Sequence, residues 1–257
     1  MSGGNGAGPW TMRRIHREER IDAPDQDPGE LARSLEQVAA VDRWLGGARA
    51  VRRHLSPRVR GRPRGSLLDV GTGDGTVLRR LVGWARRVGG PGWTGVGIEL
   101  HPDVLRVAAR RREEAPETVA GRGASRPTAA LVRGDALRLP FADAAFDAAV
   151  CTLTLHHFDG SAARTVLAEM GRVSRGLVLV SDLERSVPHY LGARLLAATV
   201  WRGNRLTRHD GPLSVRRSFT RDELAALGRE AGLADVGVAW HVPFRLVMEG
   251  RAPRVGG

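Results

Sequence analysis

Four groups of residues in this 257-residue chain have the types and spacing for chemistry. The first is Asp69-Val70-Gly71-Thr72-Gly73-Asp74-Gly75, an acid followed by three glycines at alternating positions. Glycine serves where the main chain turns with positive φ, or where a ligand must come close to the backbone. The acid two residues before the first glycine can accept from the N–H groups of the turn or from a ligand ammonium. It suits a ligand with a cationic amino-acid end better than a pyrophosphate. The second group is Glu99, placed where the acid of an α/β nucleotide site takes both ribose hydroxyls. The third is Gly134-Asp135-Ala136, another acid closing an apolar run. The fourth is a set of imidazoles that titrate near neutral pH, His156-His157 and, further on, His209 beside Asp210. Asp182 can orient a substrate hydroxyl.

These residues need strand ends to hold them. Apolar runs predict strands at Ser66–Val70, Trp93–Ile98, Ala129–Arg133, Phe146–Cys151 and Gly176–Val180. Helical periodicity intervenes at Thr76–Val88, Pro102–Glu114 and Ser161–Ser174. Alternating strands and helices build an open, mostly parallel sheet with its ligand site beyond the strand ends. A dinucleotide fingerprint needs a third glycine at position 76, where this chain has Thr76.

The turn Asp69-x-Gly71-x-Gly73-x-Gly75 resembles motif I of the class I S-adenosylmethionine-dependent methyltransferases. The resemblance runs from Ser66 to Met248 and includes Phe146-Asp147 opening the fourth strand. Gly134-Asp135, Leu139-Pro140-Phe141 and Leu155-His156-His157 are most similar to the small-molecule and quinone-biosynthesis branch. It implies an α/β, Rossmann-like, doubly wound seven-stranded sheet, mostly parallel, with helices on both faces and a C-terminal antiparallel strand pair. That pair falls at about Ala234–Trp240 and Phe244–Met248. It implies S-adenosyl-L-methionine as cofactor, held by Asp69, Gly71, Thr72, Gly73, Gly75, Glu99, Leu100, Asp135, Ala136 and Thr152. Asp135 would accept from the adenine amino group. Methyl transfer would run in line, chiefly by proximity and orientation. His156 and His157 are the first candidates for a general base, and His209 the next.

The segments around this core set its organisation. Residues 1–28 are polar and read as a disordered tail, and 29–257 as one methyltransferase domain. Within it, 29–64 holds two amphipathic helices that either pack on the sheet edge or form a lid over the cofactor's methyl end. Residues 65–182 are the cofactor-binding core, and Ala115–Pro127 a mobile surface loop. Residues 183–217 are a substrate insertion, with an amphipathic helix at Pro188–Trp201 and an arginine-rich loop at Arg202–Arg217. Residues 218–249 hold the last helix, opened by a capping box at Thr220 and Glu223, and the strand pair. The apolar residues of Pro188–Trp201 favour an aromatic or lipophilic acceptor, or alternatively contact with a membrane surface.

Composition narrows the alternatives. The formal charge is +12, yet every basic residue counted there is arginine, scattered along the chain, and aromatic content is 5%. That disfavours a nucleic-acid substrate. A non-catalytic methyltransferase-like binding protein and an NAD(P)-dependent oxidoreductase are the competing readings. There is no apolar run of about 18 residues to span a membrane. No secretory signal pattern is visible, and the single cysteine, Cys151, fits a reducing cytoplasm. Cys151 reads as a buried strand residue, and no Cys/His spacing suggests a metal.

Overall fold

A computed structural model describes residues 12–24, 26–114 and 128–252. Its centre is a seven-stranded sheet in the order β3-β2-β1-β4-β5-β7-β6. The strands are β1 (Arg64–Val70), β2 (Gly92–Glu99), β3 (Thr128–Arg133), β4 (Phe146–Thr152), β5 (Ser174–Leu183), β6 (Ala234–His241) and β7 (Arg245–Arg251). Strands β1 to β5 pair in parallel, β7 runs antiparallel to β5, and β6 antiparallel to β7. The strand order reverses between β1 and β4, which opens a crevice beyond their C-terminal ends.

The side chains of the central strands alternate between two cores, as a pleat of period two requires. Leu68, Val70, Ala149, Cys151, Val178 and Val180 pack on one face with Val166, Leu167 and Met170 of α5 (Gly160–Val173) and Leu224 of α8 (Arg221–Glu230). Leu67, Ala148, Val150, Leu177 and Leu179 pack on the other with α2 (Gly47–Val59) and α3 (Thr76–Val88). Cys151 is buried in the first core, where desolvation raises its thiol pKa well above the ordinary value. The capping box at Thr220 and Glu223 is present at the start of α8.

The two N-terminal helices divide their work. Helix α2 buries Ala50, Val51, Leu55 and Val59 against the sheet layer and runs two residues past Pro57. In α1 (Pro28–Trp44) Leu31 packs against Val104 and Val107 of α4 (Pro102–Glu114), while Leu35, Val38 and Val41 line the main cavity.

Three expectations need correction or fall elsewhere. Disorder was expected for residues 1–28, but Met12–Pro24 is ordered against the domain. Its Ile15 N–H donates to the carbonyl of Arg216, the Arg14 guanidinium lies 3.9 Å from the centre of the Phe219 ring, and Glu19 is buried. The arginine-rich stretch expected as a loop is helix α7 (Arg205–Arg217). Its buried residues Leu206, Asp210, Leu213 and Arg217 recur at helical spacing, but two of the four are charged, so the hydropathy pattern conceals the face. Gly211 and Pro212 also read as breakers, yet Gly211 is there because a Cβ would stand 2.4 Å from the Trp201 ring. Helix α6 (Val187–Ala198) accordingly ends before Trp201. The expected mobile loop at 115–127 lies outside the described residues, as do residues 1–11.

Asn204 starts α7. Its side-chain oxygen accepts from the N–H groups of Leu206 and Thr207, and its amide donates to the Glu30 carbonyl of α1. Replacing a buried N-cap that also bridges two helices costs about 1–2 kcal/mol. Asn204→Ala should lower the urea unfolding free energy by that amount, and Asn204→Ser, which keeps a capping oxygen, should recover most of it.

Candidate active site

The glycine turn is shaped by positive φ at all three glycines and by crowding at Gly71 and Gly75. Gly71, Gly73 and Gly75 have φ of 68°, 57° and 74°. At Gly71 a Cβ would also stand 2.1 Å from the Thr154 methyl group, while at Gly73 the space is open. The Thr154 hydroxyl donates to the Gly71 carbonyl at 3.0 Å, joining the turn after β1 to the segment after β4. Beneath the turn, Thr72 donates its hydroxyl to Asp69 Oδ2 at 2.8 Å. The other Asp69 oxygen is buried without a partner, as is the Thr152 hydroxyl at the end of β4. Burial pushes the Asp69 carboxyl up to about 7; the bond from Thr72 works against this and the Glu99 charge adds to it. Glu99, at the end of β2, accepts from the N–H groups of Gly73 and His101, both at 3.0 Å. Asp135 is exposed, and one of its oxygens accepts from the Leu137 N–H at 2.9 Å.

A cavity of about 600 Å³ runs from this turn into a chamber walled by α1, α6 and α7. Of the residues expected to hold the cofactor, Gly71, Gly73, Glu99, Leu100, Asp135 and Ala136 line it. Asp69, Thr72, Gly75 and Thr152 stand behind the lining and shape the turn and strand ends. The chamber side is chiefly apolar: Leu35, Val38, Val41, Leu45, Ala193, Leu196 and Val215 face it. Polar groups interrupt it, among them Asp42, Trp201 and Arg245. Trp201 Nε1 and Arg245 Nη1 are buried donors without partners, and Arg245 also pairs with the buried Asp42 at 2.6 Å.

His156 and His157 stand at the junction of the two halves, on a short 3-10 turn, Leu155–His157. His156 is buried; its Nδ1–H donates to Asp182 Oδ1 at 2.7 Å and its backbone N–H to Asp182 Oδ2 at 3.0 Å. Burial works to raise the Asp182 carboxyl, but the His156 imidazole outweighs it and the group stays below the usual carboxylate range. His157 Nδ1 lies 2.8 Å from Asp22 Oδ2. Desolvation opposes charge on His157, yet Glu19 and Asp22 prevail and raise its pKa to about 9. Glu19 lies beside both imidazoles and Asp22 beside His157, so acids of the N-terminal segment, outside the domain bounds the sequence suggests, reach the histidines. His209 is not part of this arrangement. It does not line the cavity and its Nδ1 donates to the neighbouring Asp210, whose carboxylate also accepts from the N–H groups of Arg20 and Ile21.

Glu19, Asp22, Thr154, Trp201, Arg217 and Arg245 are the residues that sequence reasoning did not single out. Glu19 and Asp22 come from a polar stretch, and Thr154, Trp201, Arg217 and Arg245 from positions whose local pattern gives no sign of a site; the packing of distant segments brings all but Arg217 to the cavity lining, and Arg217 holds the histidine turn through its carbonyls.

The family described as Methyltransferase domain matches residues 68–179. Proteins named demethylmenaquinone methyltransferase are similar over more of the chain. The one from Roseiflexus castenholzii is 33% identical over 204 residues, covering 73% of each chain. The one from Roseiflexus sp. (strain RS-1) is 31% identical over 204 residues, with the same coverage. Among solved structures, a SAM-dependent methyltransferase from Aquifex aeolicus is similar with a TM-score of 0.59 and 16% identity, over 89% of this chain and 100% of that one. Human N-acetylserotonin methyltransferase in complex with SAM gives a TM-score of 0.58 at 16% identity, over 88% of this chain and 57% of that one. At such identities the structural likeness is one of fold.

The chain belongs to the methyltransferase domain family. It is an S-adenosylmethionine-dependent methyltransferase, with the Rossmann-like sheet of that class.

The state of Asp69 sets a pH dependence. Between about pH 4 and 7 the folded, cofactor-free protein holds a proton on Asp69 that the unfolded chain has released. This group's contribution to stability therefore falls as pH rises through that window and is constant above it. Asp69→Asn carries no such proton. The unfolding free energy of the variant, taken relative to the parent in urea titrations, should climb from pH 4 to 7; a difference that is flat with pH would show that Asp69 ionises normally.

Proposed function

We propose that this methyltransferase acts on a reduced, quinone-type acceptor: an electron-rich, hydroxylated aromatic ring carrying an apolar portion. The observation that carries this reading is the single cavity that joins the glycine turn to an apolar chamber, with two imidazoles at the junction. The names of the similar Roseiflexus proteins point to the same acceptor class.

On this reading the residues present fit the cofactor. Asp69, with its unpartnered buried oxygen, would draw the ammonium of the methionine part, directly or through the turn. Glu99 keeps lone pairs free for ribose hydroxyls, and Asp135 has a second oxygen free for the adenine amino group. The bound cofactor supplies a methyl group on a sulfonium, a leaving group that needs no protonation. What this chain supplies is alignment and a nucleophile. A quinone ring is electron-poor, whereas its dihydroxy form becomes nucleophilic when a hydroxyl loses its proton. His156, with its Nδ1–H tied to Asp182, has Nε2 available to take that proton. The positive charge held on His157 favours the resulting oxyanion. Trp201 Nε1 and Arg245 Nη1, donors without partners, suit the ring oxygens.

Helices α1, α6 and α7 roof the chamber, so the helical lid over the methyl end is part of this proposal. Leu191 and Leu195 of α6 and Trp44 at the end of α1 are exposed. They offer an apolar surface by which a lipophilic acceptor would be met at a membrane face, on the cytoplasmic side. Among the described residues no helix is long and apolar enough to cross a membrane.

Two measurements test this. Calorimetry with S-adenosylhomocysteine should show a loss of about tenfold or more, ~1.4 kcal/mol per decade, for Glu99→Ala and for Asp135→Ala. Methylation assays under reducing conditions with a short-chain naphthohydroquinone should give product with the parent. Trp201→Phe, which removes the N–H donor together with part of the ring, should raise the acceptor KM several-fold and leave S-adenosylhomocysteine affinity unchanged. No turnover of any hydroquinone by a parent that binds S-adenosylhomocysteine tightly would remove the quinone-type acceptor while leaving the cofactor assignment intact.

A further inference from the structure

Glu19, His156 and His157 converge from two distant parts of the chain, and their ligand-type atoms lie within 4.8 Å of one another. His156 Nε2 is 3.6 Å from Glu19 Oε1, and His157 Nε2 is 3.8 Å from Glu19 Oε2. These gaps are too long for hydrogen bonds. They are close to the separation of neighbouring ligand atoms around one ion. With metal–ligand distances of about 2.0–2.1 Å, tetrahedral geometry places adjacent ligand atoms about 3.3 Å apart.

The outer contacts point the same way. Each imidazole has its Nδ1–H committed to a carboxylate, His156 to Asp182 at 2.7 Å and His157 to Asp22 at 2.8 Å. That orients both rings with Nε2 turned to the common centre, the arrangement in which histidines ligate metals, and a bound ion would displace the Nε2 proton of the charged His157. The three inner residues and both outer acids are held by different elements: the N-terminal segment, the 3-10 turn and the end of β5. Glu19 is itself oriented, since the Ser214 hydroxyl of α7 donates to Oε1 at 2.9 Å. Three carboxylates, Glu19, Asp22 and Asp182, meet the two imidazoles, and the guanidiniums of Arg217, Arg14 and Arg245 stand near these acids. Arg217 Nε stands 3.7 Å from Glu19 Oε1, and the N–H groups of its guanidinium are taken up by the carbonyls of Arg17, His156 and His157.

We propose that Glu19, His156 and His157 form a binding site for one divalent transition-metal ion of the zinc type. Two imidazoles and one carboxylate leave at least one coordination position open. All three residues line the cavity, so that position faces the acceptor chamber. Binding itself does not depend on the acceptor's identity; what the ion does there rests on the methyltransferase reading. An acceptor hydroxyl bound to the ion loses its proton more readily, as metal-bound water does. In that form His156 and His157 are ligands, and the proton acceptance assigned to His156 above belongs to the ion-free protein. Glu19 lies far from the histidines in sequence, so no Cys/His spacing announces the site.

The test uses chelator-stripped full-length protein. It is titrated with Zn²⁺ against a chromogenic chelator, and with Co²⁺ followed by visible d–d absorption. One equivalent should bind, with a Co²⁺ band of low-coordinate type. Glu19→Gln, which keeps the contact with Ser214, and His157→Gln should each weaken binding at least about tenfold and abolish the band. Asp22→Asn should weaken it ~10–100-fold through ligand orientation alone. Affinity for S-adenosylhomocysteine, measured on the same samples, should stay within about twofold, showing that the fold and the cofactor half are intact. A parent protein that takes up neither ion overturns the proposal. So does Zn²⁺ binding that Glu19→Gln leaves unmoved, which would place the ion elsewhere, for instance at His54 and His241, whose Nε2 atoms are 2.8 Å apart. The ion readouts do not pass through cofactor binding, so they decide this site independently of the acceptor assignment.

Discussion

Everything at the active site depends on the contact between Gly71 and Thr154. Gly71 opens the turn after the first strand and Thr154 follows the fourth strand, and the two strands are neighbours at the point where the strand order reverses. A hydroxyl-to-carbonyl bond and the lack of space for a Cβ lock the two loops together. The next residues after Thr154 carry both imidazoles. The distance from the glycine turn to His156 is therefore set by one packed contact across the switch point, not by a flexible loop. Methyl transfer needs that kind of control, because its rate comes mainly from holding a nucleophile in line with the methyl group.

The N-terminal segment completes the site from the opposite side. It runs over α7 and the 3-10 turn, held by Arg14 on Phe219 and by backbone N–H groups on Asp210. It then delivers Glu19 and Asp22 to the histidines. Burying a carboxylate such as Glu19 is unfavourable unless it is paired, and here the partners are two imidazoles, a serine hydroxyl and a guanidinium. The acids and histidines are in this sense mutually dependent. Neither set would rest in a largely apolar cavity without the other, and together they concentrate the polarity of the acceptor half at one point.

Around that point the walls are supplied by elements outside the nucleotide-binding core. Helices α1, α6 and α7 turn apolar residues toward the chamber instead of toward the sheet. This explains why the amphipathic pattern of α1 did not distinguish packing from covering: its apolar face meets a cavity, which selects the same residue types as a core does. Arg111 links this layer to the cofactor turn, donating to the Ala32 carbonyl and to Glu36 of α1 and pairing with Asp74.

The sequence by itself determined the parts governed by short-range rules. Strand runs, the alternating glycines, the acids at strand ends and the capping box at Thr220 each depend on a few adjacent residues. They therefore specified the parallel sheet with its antiparallel end and the cofactor class. Only the tertiary structure decided the acceptor half. The helix at Arg205–Arg217 was concealed because its inward face is partly charged, with Asp210 and Arg217 buried by partners from the N-terminal segment and the 3-10 turn. Glu19 and Asp22 sit in a polar stretch that carries no hydrophobic pattern. His209, the next candidate after His156 and His157, was turned away by its bond to Asp210. Apart from that contact between neighbours, the deciding interactions join groups far apart in the chain, many of them a charged side chain on a backbone group, and such pairings leave no periodic trace in the sequence of either partner.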